Sequence, residues 1–261
     1  MCGRFVITSA PEALRRLFGY PEQPNFPPRF NIAPTQPIPV VTCERDGPHF
    51  RLMRWGFIPA FAKEPRKGAP LINARAEGIV ERPAFRNAIR RRRCLIPADG
   101  YYEWQMRAGR KQPFFIRAHD GQPFAFAGVW ETWSGPHGEE LDTVAIITAQ
   151  ASDDLAAIHS RVPVTIAHAD YAQWLAVDEL ETDAALKLLA PPLPGSFTWH
   201  AVSPAVGRVA NDDPSLIAPL SEDEVEIAAV EAAVATPEPS PRGRAKAPRR
   251  DDGDSGQGEL F

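Results

Sequence analysis

A succession of short runs rich in β-branched and aromatic residues most constrains what this chain can fold into. Residues 38–43, 50–55, 94–97, 101–107, 114–118, 124–130, 144–149 and 162–167 all read as strands. Turn chemistry separates them, including Asp46-Gly47 and Asp120-Gly121. Helical patterns are fewer. Residues 11–18 place Ala13, Leu14, Leu17 and Phe18 on one face, with Ser9 as the expected N-cap. Residues 83–91 begin with proline in the first turn, and 152–158, 169–175 and 182–189 complete the set. Strands, interspersed helices and 28 prolines predict an α+β domain built on a curled, mostly antiparallel sheet with flanking helices.

Of the 261 residues 44% are hydrophobic, ample for a core, and 1–220 read as one folded unit. The composition then changes: 221–231 are acidic, 236–250 Pro-rich and basic, 251–258 acidic and Gly-rich. Alternating charge blocks with few large apolar residues cannot bury enough surface to fold. They predict a disordered tail over 221–261, with one short helix near 225–234. No apolar run approaches the ~20 residues that span a bilayer. No basic-then-apolar start marks export, so a cytoplasmic protein is expected. Cys2, Cys43 and Cys94 cannot all pair and lack metal-ligand spacing. A reducing compartment follows, with no metal and no cofactor expected. A net charge of −4 argues against a chain wrapped in nucleic acid but permits a local basic groove.

Reactive chemistry concentrates in four segments: Cys2-Gly3-Arg4-Phe5, Asn73-Ala74-Arg75-Ala76-Glu77, Pro97 to Trp104, and Ile158-His159-Ser160-Arg161-Val162-Pro163. Removal of Met1 would give Cys2 a free α-amine and a thiol on adjacent carbons. The amine titrates near ~7.7–8.0, so a useful fraction is unprotonated at neutral pH, and the thiol, near ~8.5, is expected to be drawn toward thiolate by the positive charge of Arg4. Taken singly, the other residues have plain explanations. Asn73 could cap a turn. Glu103 could face solvent or pair with an arginine. His159 could complement a helix dipole. The arginine run 90–93 reads as a solvated face. Cys43 and Cys94, flanked by apolar strand residues, read as small buried hydrophobes.

Together the segments resemble the SOS-response-associated peptidase (SRAP) family. The matching residues are Met-Cys-Gly-Arg-Phe at 1–5, Arg29-Phe30-Asn31-Ile32-Ala33-Pro34, Arg54-Trp55-Gly56-Phe57-Ile58-Pro59, Leu71-Ile72-Asn73-Ala74-Arg75-Ala76-Glu77, Cys94-Leu95-Ile96-Pro97-Ala98-Asp99-Gly100-Tyr101-Tyr102-Glu103-Trp104, and Ile158-His159-Ser160-Arg161-Val162-Pro163. They fall in the family's order over about 1–211. The resemblance implies a β-rich α+β domain with a grooved, positively charged face. It also implies a covalent crosslink to abasic sites in single-stranded DNA. On that resemblance Cys2, Asn73, Glu103 and His159 are the catalytic set, with Asn73 orienting the sugar and Glu103 and His159 moving protons.

Arg4 and Arg75 are the expected phosphate contacts, because a guanidinium grips phosphate bidentately. Arg161 and Phe61 are assigned to the DNA-binding surface too. The resemblance implies aromatic residues just after the Trp-Gly-Phe motif. Here Pro59-Ala60-Phe61-Ala62 leaves only Phe61 to stack on a base. Three other functions compete: a cysteine peptidase using Cys2, His159 and Glu103, an N-terminal-nucleophile glutamine amidotransferase, and a non-catalytic DNA-binding module. A Schiff base would also permit DNA lyase chemistry. The last residues, Gln257-Gly258-Glu259-Leu260-Phe261, resemble the peptide by which bacterial proteins dock on the replication sliding clamp. The expected state is a monomer, without a membrane partner.

Overall fold

The Asp46-Gly47 turn forms as its chemistry requires. It joins β3 (Pro37–Glu44) to β4 (Gly47–Trp55), with Gly47 at φ 126°, a conformation that only glycine adopts without strain. The computed structural model describes residues 2–63, 70–107, 109–178, 181–221 and 223–225. Before the hairpin come β1 (Phe5–Ile7), α1 (Pro11–Phe18) and β2 (Arg29–Ile32). After it come β5 (Asn73–Arg75), α2 (Ala88–Arg91), β6 (Arg93–Ala98), β7 (Gly100–Arg107), β8 (Arg110–Ala118), β9 (Phe124–Ser134) and β10 (Glu140–Gln150). Then follow α3 (Asp153–Ala156), β11 (Arg161–Pro163), β12 (Thr165–Ile166), α4 (Tyr171–Leu175), α5 (Thr182–Leu186) and β13 (Phe197–Ala201).

The curled sheet expected from the sequence closes on itself. Strands pair in the order β10-β4-β3-β6-β9, and β9 pairs back to β10, so the ring has no open edge. The ring is antiparallel except at β4 with β10. Beyond the ring, the last residues of β10 carry β5 on one edge and β11 on the other. A second, antiparallel sheet runs β13-β8-β7-β1-β2 and packs against the barrel. Phe5 meets Trp55 edge-on at 5.2 Å, and Tyr101 meets Phe126 at 5.9 Å. Side chains alternate across a strand, which explains two adjacent buried tyrosines. Tyr101 enters the main core, whereas Tyr102 joins Val6, Phe115, Val202, Val206 and Leu216 in a small core on the far face.

The chain passes from barrel to second sheet at Asp99-Gly100. A Cβ on Gly100 would sit 2.4 Å from the Phe115 ring and 2.9 Å from the Ile116 carbonyl oxygen, so glycine is required there. The Asp99 carboxylate accepts the Thr8 and Ser9 backbone N–H groups at 2.6 and 2.8 Å, and the Ser9 hydroxyl. Ser9 is therefore not the N-cap of α1; Ala10 occupies that position without a side-chain cap.

Other sequence expectations are also corrected. The predicted strand 162–167 splits at Val164, because its N–H bonds to Ile147 of β10 while its carbonyl accepts from Ala127 of β9. The strands β1, β2, β5 and β13 were not foreseen. The helix expected over 83–91 is reduced to Ala88–Arg91, and those over 152–158, 169–175 and 182–189 shorten to α3, α4 and α5. The 90–93 run is not all solvated. Arg93 is 1% exposed, and its guanidinium donates to Trp174 O at 2.7 Å and Ala176 O at 2.9 Å, capping α4. Burial lowers its pKa. Cys94 is buried as expected, but Cys43 is exposed near the hairpin turn. The helix expected near 225–234 and the C-terminal Gln257, Leu260 and Phe261 lie outside the described residues, apart from Val225.

Candidate active site

Cys2 is delivered to its position by strand pairing. In the β1–β7 ladder Phe5 lies opposite Tyr101 and Val6 opposite Gly100, and the Tyr102 N–H donates to Arg4 O at 3.0 Å. The same antiparallel register, continued toward the terminus, carries the Cys2-Gly3 segment alongside Glu103. Tyr101, Glu103 and Gln105 share one face of β7, the face toward the barrel. Glu103 is 2% exposed and Cys2 fully buried.

Asn73 arrives from the barrel side. Strand β5 runs parallel to β10, with Asn73 beside Ile146 and Arg75 beside Thr148. Alternation buries Ala74 in the core and sends Asn73 and Arg75 to the opposite face. The Asn73 amide donates from Nδ2 to Cys2 O at 2.8 Å. Its buried Oδ1 accepts no hydrogen bond among the described residues. Asn73 is thus a strand residue that tethers Cys2, not a turn cap.

His159 comes from the excursion between β10 and β11. That excursion is closed by Ala151 N–H to Ser160 O at 3.0 Å, and the His159 N–H donates to Leu155 O at 3.1 Å. Gln105 Nε2 donates to Ala157 O and so ties β7 to the same excursion. The Arg161 N–H donates to His159 Nδ1 at 3.0 Å. The Arg161 carbonyl oxygen lies 3.2 Å from the same nitrogen, so the backbone of Arg161 orients the ring in either tautomer.

The electrostatics follow from burial. Burial pushes the Glu103 carboxyl above the ordinary carboxylate range, while the nearby His159 pulls it back down. Burial, reinforced by the Glu103 charge, pushes the Cys2 thiol well up, so the resting sulfur is a thiol and not the thiolate expected beside Arg4, whose guanidinium is turned to Asn31, Val206 and Gly207. Tyr101, 1% exposed and raised mainly by burial, feels both Cys2 and Glu103. Its hydroxyl has no hydrogen-bond partner among the described residues. A buried cysteine, a tethering amide, a carboxyl with raised pKa and an oriented imidazole therefore lie close together. Such a set can exchange protons with an electrophile held at Cys2.

The same pattern of segments matches the family model for the SOS response associated peptidase (SRAP) over residues 1–209. The chain belongs to the SRAP family. Similar curated proteins are the abasic site processing proteins YoqW of Bacillus subtilis, YedK of Escherichia coli and HMCES of Gallus gallus. YoqW is 36% identical over 223 residues, covering 83% of this chain and 99% of YoqW. YedK is 31% identical, covering 84% of this chain and all of YedK. HMCES is 31% identical, covering 84% of this chain and 78% of HMCES. A solved protein from Bacteroides thetaiotaomicron has the same fold, with a TM-score of 0.76 at 22% identity, over 84% of this chain and 100% of that one. A Bordetella bronchiseptica structure gives 0.68 at 25%, over 77% and 100%.

In this SRAP chain the remaining expected residues divide into two groups. Arg75 and Phe61 are exposed, Phe61 at 68%. The Arg75 side chain makes no hydrogen bond or ion pair among the described residues. Arg4 and Arg161 are instead engaged by the protein. The Arg4 guanidinium donates to Asn31 Oδ1 at 3.0 Å, Val206 O at 2.7 Å and Gly207 O at 3.3 Å, and partial burial lowers its pKa. It locks β1 to β2 and to the 204–207 turn. Arg161 is held by Glu77 and Thr148. Sequence reasoning missed Tyr101, Gln105, Thr148 and Glu77 as parts of this site. Period-2 alternation from Glu103 could have found Tyr101 and Gln105; Thr148 and Glu77 meet the site only through pairing between distant strands.

The group Glu44, Asp46 and His49 lies apart, at the β3–β4 hairpin. Both His49 nitrogens are within hydrogen-bond distance of carboxylates, Glu22 at 2.6 Å and Asp46 at 2.9 Å, and these raise its pKa. The two carboxylates favour the protonated ring there.

Proposed function

We propose that this protein captures abasic sites in single-stranded DNA as a covalent adduct on Cys2. The observation that supports this best is the set of groups around one buried cysteine: an orienting amide from β5, a raised carboxyl from β7 and an imidazole ahead of β11. The names of the relatives, abasic site processing proteins, agree with it.

With Met1 removed, the Cys2 amine attacks the C1′ aldehyde of the ring-opened sugar. A C–N bond forms, the nitrogen gives up two hydrogens, and the aldehyde oxygen leaves with them as water. The thiol then adds across the C=N bond. A C–S bond forms, the S–H bond breaks, its proton passes to nitrogen, and a five-membered thiazolidine results. Closure is intramolecular, which is a large rate advantage. A thiol kept protonated by burial suits this order, since the amine reacts first and the sulfur only traps the product. Glu103 takes the amine's proton and helps expel water, while His159 protonates the sugar oxygen as the ring opens. Asn73 holds the Cys2 carbonyl with Nδ2 and offers the buried Oδ1 to a sugar hydroxyl. Arg75 grips phosphate, and Phe61 stacks on a neighbouring base.

The decisive experiment mixes the protein with single-stranded DNA carrying one abasic site and runs a denaturing gel. A heat-stable shift that vanishes in Cys2→Ala and with a blocked N-terminus is expected. Peptide or glutamine turnover without a shift overturns the proposal. Separate Glu103→Gln and His159→Gln variants test the division of proton transfers, and equal loss of Schiff base and thiazolidine in both refutes it. A cysteine peptidase would need a ready thiolate, and burial at Cys2 works against one. The charged segment 221–261 serves as a tether, with Gln257, Leu260 and Phe261 docking on the replication sliding clamp. A peptide of residues 250–261 that fails to bind the clamp in calorimetry removes this part.

A further inference from the structure

We infer that Asn31 is a positioning residue for Cys2, acting through Arg4. Cys2 and Gly3 lie ahead of β1, and a chain start stays ordered only where something ties it down. The Asn73 bond to Cys2 O is one tie. Gly3 has no side chain with which to add another, so the next lies at Arg4. The Arg4 carbonyl accepts the Tyr102 N–H at 3.0 Å. Its guanidinium donates from Nη1 to Asn31 Oδ1 at 3.0 Å and Val206 O at 2.7 Å, and from Nη2 to Gly207 O at 3.3 Å. Arg4 is therefore held by its backbone and by its side chain, two residues from the cysteine.

Asn31 is placed to receive that guanidinium. Strand β2 brings it to the start of β1, where Phe5 lies opposite Ile32. Its side chain is buried, the residue being 1% exposed. Nδ2 donates to Val206 O at 3.2 Å, Arg208 O at 2.9 Å and Asn211 O at 2.8 Å, and the backbone N–H donates to the Asp212 carboxylate at 3.0 Å. Three carbonyl oxygens gathered on the nitrogen side fix the amide's orientation and leave its oxygen for Arg4. Val206 O accepts from both residues, which joins them into one unit with the 204–207 turn. A buried amide satisfied on both sides has little freedom to move, so Arg4 inherits its fixed position. Arg4 Nε makes no hydrogen bond among the described residues, so a guanidinium held in this way can still meet a phosphate. The Arg29–Pro34 motif, which has no other part in the proposed chemistry, thus reaches the nucleophile from the far side of β1.

The kinetic arm of the test rests on the proposed abasic-site capture; the labelling arm does not. Iodoacetamide labels the free, full-length protein, and mass spectrometry resolves Cys2, Cys43 and Cys94. Cys2 and Cys94 are both buried, so global opening labels them together, whereas release of the chain start labels Cys2 alone. Asn31→Ala and Arg4→Met should each raise the ratio of Cys2 to Cys94 labelling about tenfold, the scale of one lost hydrogen bond to a charged group. Combining them should add no more than about twofold, because the two side chains form one anchor. Asn31→Asp keeps an oxygen for Arg4 and should hold the ratio within about threefold of wild type. Adduct formation at saturating abasic DNA should slow about tenfold in Asn31→Ala. An unchanged labelling ratio in Asn31→Ala overturns the inference, as does one in Arg4→Met if the first variant does not fold. So do additive effects in the double variant, a ratio in Asn31→Asp as high as in Asn31→Ala, or an unslowed adduct in Asn31→Ala. A wild type that forms no adduct would refute the proposed function while leaving the labelling ratio to decide the positioning role.

Discussion

Replacing Asn73 puts the largest part of the proposed mechanism at risk in one step. Its Nδ2 donates to the carbonyl of Cys2, a residue with no solvent exposure, at 2.8 Å. Asn73→Ala leaves that buried carbonyl without this donor, a loss that costs about 1–3 kcal/mol. The hydrogen bond sets where Cys2 sits, so the cost falls on the capture step. At about 1.4 kcal/mol per tenfold change, the adduct rate should drop roughly fivefold to 150-fold. Asn73→Asp is the sharper variant. It preserves shape but sets a second acceptor against the Cys2 oxygen, and it buries a charge. Its rate should fall at least as far as that of the alanine variant, and its melting temperature further. The assay is the time course of heat-stable adduct on abasic single-stranded DNA at saturating DNA, with affinity for intact DNA measured by fluorescence anisotropy. Adduct formation within twofold of wild type in Asn73→Ala would refute the orienting role. An aspartate variant as fast as asparagine would refute the need for a donor.

Glu103 links stability to pH. Burial raises its pKa above the unfolded value, so the protonated form favours folding. Its contribution is complete below the ordinary carboxylate range near ~4.3 and is lost as pH rises through the folded-state pKa. Glu103→Gln should therefore melt higher than wild type at neutral pH, with the gain shrinking toward pH 4, and should form adduct more slowly; calorimetry across pH that shows no such trend refutes this. Arg93→Met leaves the Trp174 and Ala176 carbonyls without their donor and should cost about 2–5 kcal/mol in denaturant unfolding, with adduct rates at saturating DNA preserved in the folded fraction. Phe61→Ala should leave stability unchanged and weaken single-stranded DNA affinity by about 1–3 kcal/mol in anisotropy titrations, the range for one stacked base.

Much of the fold could be read from the chain. The hairpin at Asp46-Gly47 and the turn at Asp120-Gly121 form where their residues demand positive φ. The long strands sit where the β-branched and aromatic runs lie. The elements that escaped were short: β1, β2, β5 and β13 carry little periodicity and exist because a neighbouring strand supplies their hydrogen bonds. Ser9 escaped for a similar reason, since a carboxylate about ninety residues away outcompetes the local cap.

The sequence by itself carried the motifs that mark the family, with Cys2, Asn73, Glu103 and His159 among them. The tertiary structure then moved the pKa values away from those of the residue types, raising the Cys2 thiol and the Glu103 carboxyl by burial. Only the tertiary structure decided which arginines remain available and which groups surround Cys2. Arg4, Arg75 and Arg161 look alike in a sequence, yet among the described residues two are bound by the protein and one is exposed. The physical reason is that strand pairing joins residues far apart in the chain. The β1–β7 register brings Glu103 to Cys2, the β5–β10 register brings Asn73, and the β10–β11 pairing sets the Arg161 backbone that holds His159.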